Sequence, residues 1–376
     1  MNIKHFLLGT AAALVSSNAA FAADAIVIAE PEPVEYVRVC DMYGAGFFYI
    51  PGTETCLKFS GEVFFQVASE GYENEGDSPD YQTYGSNPGS GGWLPRTRAR
   101  LQVDARSSTE WGTLRAMMRI QAEANDNTDA GYVMDNALVQ LGGFRVGYTE
   151  TVWNDSIGAG VAAYGSHSWG SLSYGYRKTQ QISYSIGSDQ GFAATISLED
   201  DENEGDGYMP DVVVAASYNQ GWGAVWGKAG YDEDYDGLGN DGFGATLGLQ
   251  YNIPGFEGSS FRLIGYYSDS DNVYGVGSPF SAISGGDGNG AAEWSILASY
   301  FHKITEKFGA SVGFQYYSDL YAAQSSVSTG LDGYTAELNL VYTPVENLEF
   351  RTEIYYDKVD TLDGTASGFL RMTRFF

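Results

Sequence analysis

Seven arginines stand at even spacings in three stretches of the chain: Arg96, Arg98, Arg100 and Arg106; Arg115 and Arg119; and Arg145. A guanidinium is permanently cationic and presents planar, paired donors to carboxylates and other anions. Residues two apart in an extended chain share one face. The first six arginines would therefore form one charged wall on two neighbouring segments, with Arg145 extending it. Such a wall sorts and orients ions; it supplies neither a nucleophile nor a proton carrier. Glu150 and Asp155 follow closely and carry the opposite charge. If they face the arginines across a gap, a transverse field results. The plainer alternative is a hydrated polar face on which the arginines pair with Asp104 and Glu123.

Other motifs imply less. Asp232-Glu233-Asp234-Tyr235-Asp236-Gly237 matches the opening of an EF-hand loop, but the twelfth position is Phe243, where a bidentate Glu is required. His167 lies between Ser166 and Ser168, yet neither it nor His302 belongs to a nucleophile motif. The glycine-rich run 285–290 lacks the Lys-Ser/Thr and the helix of a phosphate cradle. The sequence thus points away from an enzyme, and no metal site or cofactor is expected.

The elements that must position the arginines follow from alternation. In 96–106, Gln102 and Asp104 share the arginine parity, while Thr97, Ala99, Leu101, Val103 and Ala105 occupy the other. After the turn 109–112, Arg115, Met117, Arg119, Gln121 and Glu123 oppose Leu114, Ala116, Met118, Ile120 and Ala122. The split recurs in 348–357. No apolar helix spans a membrane beyond the N-terminal leader; the longest uncharged stretch, 156–176, holds ten Gly or Ser among 21 residues. About sixteen alternating segments fit between Leu57 and Phe376. Their links alternate between short turns (109–112, 142–143, 188–191, 219–221, 254–258, 305–307, 344–347) and long or acidic ones (69–95, 150–178, 232–241, 268–291, 318–332). This predicts an all-β, antiparallel transmembrane barrel with short periplasmic turns and long external loops. Odd-numbered segments end in tyrosines, as in Tyr266-Tyr267, Tyr316-Tyr317 and Tyr355-Tyr356, which suits a membrane interface.

Composition narrows the function classes. Lys and Arg number 20 against 48 Asp and Glu, a formal charge of −28 over 376 residues, so binding to nucleic acid is excluded on electrostatic grounds. Lys4, the apolar run 6–15 and Ala20-Phe21-Ala22 read as a secretory leader of residues 1–22. Its removal would leave 354 residues at −29. In an oxidising compartment the only two cysteines, Cys40 and Cys56, are read as one disulfide, with free thiols as the alternative. It would sit in an N-terminal segment, 23–56, on the periplasmic side of a barrel running over 57–376.

The segment 34–57, from Val34-Glu35-Tyr36-Val37-Arg38-Val39-Cys40-Asp41-Met42-Tyr43 through Phe47-Phe48-Tyr49-Ile50-Pro51-Gly52 to Cys56-Leu57, resembles the start of porins from alphaproteobacteria of the Brucella and Rhizobium type. The leader, Leu141-Gly142-Gly143-Phe144-Arg145-Val146-Gly147, Asp206-Gly207-Tyr208-Met209-Pro210 and the terminal Phe376 are similar to that family too. The resemblance implies sixteen strands, a homotrimer in the outer membrane, and a third loop, 150–178, folded into the pore. It implies a general diffusion channel for small hydrophilic solutes and ions. A substrate-selective channel or a structural, adhesive barrel on the same fold are the alternatives. Lipid and the barrel-assembly machinery, with Phe376 as the C-terminal signal, are the other expected partners.

Overall fold

The computed structural model describes residues 38–70, 93–125, 128–154, 161–162, 164–170, 172–188, 190–200, 209–279 and 290–376. The leader, Asp155, the acidic run 201–206 and positions 285–289 of the glycine-rich run lie outside the described residues.

The strands of the first half are β1 (Phe48–Tyr49), β2 (Cys56–Glu70), β3 (Leu94–Thr109), β4 (Gly112–Asn125), β5 (Thr128–Leu141), β6 (Phe144–Glu150), β7 (Lys178–Gly187) and β8 (Gly191–Glu199). The second half comprises β9 (Asp211–Gln220), β10 (Gly223–Asp232), β11 (Gly242–Asn252), β12 (Ser260–Ser268) and β13 (Ala292–Lys303). It ends with β14 (Phe308–Leu320), β15 (Gly333–Val345), β16 (Leu348–Val359) and β17 (Thr365–Phe375). Each pairs antiparallel with its sequence neighbour, and β17 bonds back to β2, so β2–β17 close as a sixteen-stranded barrel. β1 adds two residues at the foot of β2. Closure leaves no open sheet edge in the barrel wall, the condition for a sheet to sit in lipid.

Alternation sets the two faces. On β2, Phe59, Val63 and Phe65 point outward and stay about half exposed, while Phe64 and Gln66 between and beside them are buried inside. In water the outer wall would expose a largely apolar surface; against lipid that face is the one solvated. The adjacent tyrosines depart from the expected girdle. Tyr316 and Tyr356 are exposed outward, but Tyr266, Tyr317 and Tyr355 are 5%, 1% and 4% exposed inside. A two-residue period must send neighbours to opposite faces, so only one tyrosine of each pair reaches the interface. Short turns gather on one rim. On the other rim two links are also short, 126–127 and 360–364, although both are acidic.

One side of the interior is packed. Val152, Trp153, Ala162 and Leu172 of the third loop join Val213, Ala215, Trp226, Ile264, Tyr266, Leu297 and Tyr317 in one buried cluster against β9–β14. Glycine makes room for it: a Cβ on Gly248 would overlap the Trp226 indole. At the turn rim, a disulfide joins Cys40 and Cys56 and packs with Phe47, Tyr43 and Tyr49. Lys58 donates to the Ala45 carbonyl at 3.1 Å, and the Arg106 guanidinium lies 5.0 Å from the Phe47 ring centre.

Candidate functional site

β3 and β4 run side by side with Arg98 opposite Glu123, Arg100 opposite Gln121 and Arg106 opposite Arg115. Their polar faces turn inward, and each carboxylate there is shared by several cations. Glu123 accepts from Arg96 at 2.9 Å and from Arg98 at 2.5 Å. Asp104 accepts from Arg106 at 2.7 Å and from Arg115 at 2.9 Å. Asp135 binds Arg119 and Lys178, and lies 3.5 Å from Arg100. Glu62 on β2 is 3.4 Å from Arg100, and Glu150 is 3.4 Å from Arg119. Like charges two residues apart repel; carboxylates held between them offset that repulsion and satisfy the guanidinium donors.

The arginines form an axial ladder, not a ring. Arg96 to Arg106 spans ten residues, about 33 Å along the strand. Arg106 lies at the turn rim beneath the disulfide-pinned segment, where it packs on Phe47. Arg145 lies two strands from Arg115, in the row linked by Gln140, and donates to Ser183 and Gln181 on β7. Around Arg100 and Arg119 the charges are densest, because Glu62, Asp135, Glu150 and Lys178 converge there.

Asp135 escapes a strict alternation reading. Arg119 pairs with Asn136 but Ile120 pairs with Met134, so β5 carries one extra residue at Asp135. The bulge turns Asp135 and Asn136 both inward, where they are 4% and 0% exposed. Glu62 and Arg371 were legible, since each occupies the inward parity of its strand.

The third loop leaves β6 and crosses the interior. Val152 donates its N–H to Glu199 at 2.9 Å, and Lys228 reaches the Trp153 carbonyl at 2.5 Å. Ala162 N–H bonds Ser217 on β9, and Arg262 donates to the carbonyls of Gly165 and Ser166. His167 lies between Ser299 on β13 (Nδ1, 2.6 Å) and Ser260 on β12 (Nε2, 2.8 Å). Both ring nitrogens are taken by hydroxyls, which makes His167 a fastener of the loop. Burial, and then the Arg262 charge, push its pKa down to about 3.

Beyond His167, Ser168 bonds Glu337 and Trp169 donates its N–H to Glu353 at 2.5 Å. The Trp169 ring then meets Arg371 at 3.6 Å, with Phe64, Phe369 and Arg98 around it. The loop tip therefore ends at the β17–β2 seam, beside the top of the arginine ladder. On the return, Ser173 accepts from Gln315 at 2.9 Å.

Within 232–241, the carboxylates of Asp234 and Asp236 are turned on local backbone. Asp234 accepts from the Gly239 N–H, and Asp236 accepts from those of Leu238 and Asn240. His302 lies beside Phe256, Tyr300 and Ser259 at the turn rim.

The comparisons with known proteins agree on one kind of molecule. A family model described as "Porin subfamily" matches residues 24–369. Porin Omp2b of Brucella suis biovar 1 (strain 1330) is 42% identical over 261 residues, covering 62% of this chain and 66% of the relative. The match thus spans just under two thirds of that relative's length. Among solved structures, the outer membrane channel DcaP of Acinetobacter baumannii superposes with a TM-score of 0.61 at 15% identity, over 87% of this chain and 99% of the other. The trimer form of OmpT, an outer membrane protein of Vibrio cholerae, gives 0.55 at 14% identity, over 86% and 100%. At these identities the structural likenesses speak for the fold alone.

Proposed function

Because the chain belongs to the porin subfamily of outer-membrane β-barrels, we propose that it forms a water-filled channel for the passive passage of small hydrophilic solutes and ions. The observation that carries this reading is the inner face of β2–β5. There arginines and shared carboxylates line the inner wall, with aromatic packing at the two ends of the ladder (Phe64 and Trp169 by Arg98, Phe47 by Arg106), while the third loop fills the β9–β14 side. A polar, charge-lined path along a closed wall suits hydrated solutes and offers nothing for bond chemistry.

In this reading the third loop, 150–178, narrows the channel against the ladder. Arg96, Arg98, Arg100, Arg115, Arg119 and Arg145 form the basic side, Glu150 and Asp155 contribute acidic charge, and Arg106 marks the periplasmic end. Residues 1–22 are a leader removed on export, 23–56 a periplasmic segment, and 57–376 the barrel. Homotrimeric assembly is proposed by analogy with the OmpT trimer form. Insertion would use the barrel-assembly machinery, with Phe376 as its signal.

Swelling of liposomes in graded sugars tests the reading. Uptake that falls smoothly with solute size supports general diffusion. Preference between stereoisomers of equal size would instead mark a substrate-selective channel, and no uptake would leave a structural or adhesive barrel.

A further inference from the structure

The connection from β12 to β13 was expected to be an external loop, yet its described first part lies inside the barrel mouth. Ser270, Asp271, Asn272, Val273, Tyr274 and Val276 are each at most 9% exposed. The segment is held from three directions. Asp271 accepts from the N–H groups of Ala291 and Gln324, and Asp232, at the end of β10, accepts from the Val273 N–H at 2.8 Å.

Tyr274 is driven furthest inward. Its ring passes over Gly230 and its backbone and Cβ over Gly244, and a Cβ added at either glycine would overlap it. The hydroxyl donates to Asp211 at 2.9 Å and accepts from Arg177 at 3.0 Å. The ring lies 5.6 Å from the Trp153 ring, centre to centre, and 5.1 Å from the Arg177 guanidinium carbon. Trp153 and Arg177 are the two ends of the third loop, where Thr151 N–H bonds the Arg177 carbonyl at 3.2 Å and Arg177 N–H bonds Asn154 at 3.0 Å. One side chain from a different loop thus touches both legs of the third loop, and reaches them only because two neighbouring strands carry glycine at the crossing.

We infer that Tyr274 is the positioning residue that fixes the base of the third loop, and that 269–279 is a second inward element bounding the passage. The inference about passage rests on the channel reading; the inference about the loop does not. Without the ring, Trp153 loses a packing partner. Without the hydroxyl, Arg177 and Asp211 lose a shared bridge.

Amide hydrogen exchange and conduction, measured together on folded wild type, Tyr274→Phe and Tyr274→Ala, separate the two parts. In Tyr274→Ala, protection at Thr151, Asn154 and Arg177 should fall about tenfold or more, while β2–β4 amides keep theirs. Tyr274→Phe should lose less, because its ring still fills the notch. Open-channel current should grow noisier in the same order, with the exclusion limit rising in Tyr274→Ala. Unchanged exchange at the loop base in Tyr274→Ala overturns the positioning role, whatever the current does. Altered exchange with unchanged noise and exclusion limit, in a wild type that conducts, overturns the role of 269–279 in passage. A wild type that does not conduct overturns the channel reading and that role with it, while exchange still decides the positioning role.

Discussion

Phe376 and Gly61 exchange both backbone hydrogen bonds, Gly61 N–H to the Phe376 carbonyl at 2.9 Å and Phe376 N–H to the Gly61 carbonyl at 3.0 Å. The phenyl ring lies over the space a Gly61 side chain would take, 2.7 Å from the position of its Cβ. The last residue of the chain is thus seated on the first long strand of the barrel. Gly61→Val should displace the ring and also strike the Arg100 carbonyl, so less protein should close. Heat-modifiable mobility on electrophoresis reads the closed fraction. Phe376→Ala should cost less once the barrel is formed, because only the ring contact is lost. Equal closed fractions for Gly61→Val and wild type would refute the fit.

Removing a shared carboxylate should be worse than removing one of its cations. Asp104 is 3% exposed and holds both Arg106 and Arg115. Asp104→Asn leaves two guanidiniums facing each other without a counter-charge, at a cost of about 3 kcal/mol. Arg106→Gln leaves the Arg115 pair intact and should cost about 1 kcal/mol or less. Denaturant unfolding of the two variants checks the order.

Ion selectivity should depend on salt. The mature chain would be strongly acidic outside, while the ladder is locally basic, so weak cation preference is expected at low ionic strength. Screening shortens the reach of exposed loop charges from about 30 Å at 0.01 M to about 3 Å at 1 M. The preference should therefore decline as salt rises. Replacing Arg98, Arg100, Arg115 and Arg119 with Gln should raise cation preference, and Glu150→Gln should shift it toward anions. Reversal potentials across a planar bilayer measure both shifts. No change on replacing the four arginines would remove them from the conducting path.

Acid should loosen the third loop through His167. Its pKa is about 3 in the docked loop, against 6.5 for a free imidazole. The undocked loop therefore takes up a proton that the docked loop refuses. Docking has its full strength above pH 6.5 and loses it progressively as pH falls toward 3. The charged groups around the imidazole are Arg262, directly, and Glu337, through Ser168. Current noise should rise between pH 6.5 and 4 in wild type. His167→Gln keeps hydrogen-bonding capacity toward Ser260 and Ser299 without titrating, and its noise should stay flat over that range.

Reduction of Cys40–Cys56 should release the segment between the two cysteines and leave the barrel closed. The bridge closes a loop of about 15 residues, for which chain entropy gives roughly 3 kcal/mol. Faster proteolysis within 41–55 after reduction, with unchanged electrophoretic mobility of the barrel, is the expected result. Free thiols in denatured, unreduced protein would contradict the bridge.

The wall was legible in the sequence because a strand has a period of two: Arg96, Arg98 and Arg100 could share only one face, and they do. The disulfide and the rim of short turns followed from equally local signals. Asp135 did not, since a one-residue bulge reverses the parity on which the reading depends. Tyr274 was hidden for another reason. Its position is set by the absence of side chains at Gly230 and Gly244, and a glycine in a strand does not announce what will cross it. Trp169 and Arg371 stand about 200 residues apart, a distance no pattern of neighbours encodes.

That last contact bears on the order of events during biogenesis. The seat of Trp169 is built from Phe64 on β2, Arg98 on β3, and Phe369 and Arg371 on β17. These groups come together only when the first and last long strands have met. A nascent chain that has laid down β6 therefore has no place to put the tip of the following loop. Pairings so distant in sequence are also the slowest to form. The loop tip settles last, and an inserting barrel passes through a stage in which its wall is complete while its interior is still unfurnished.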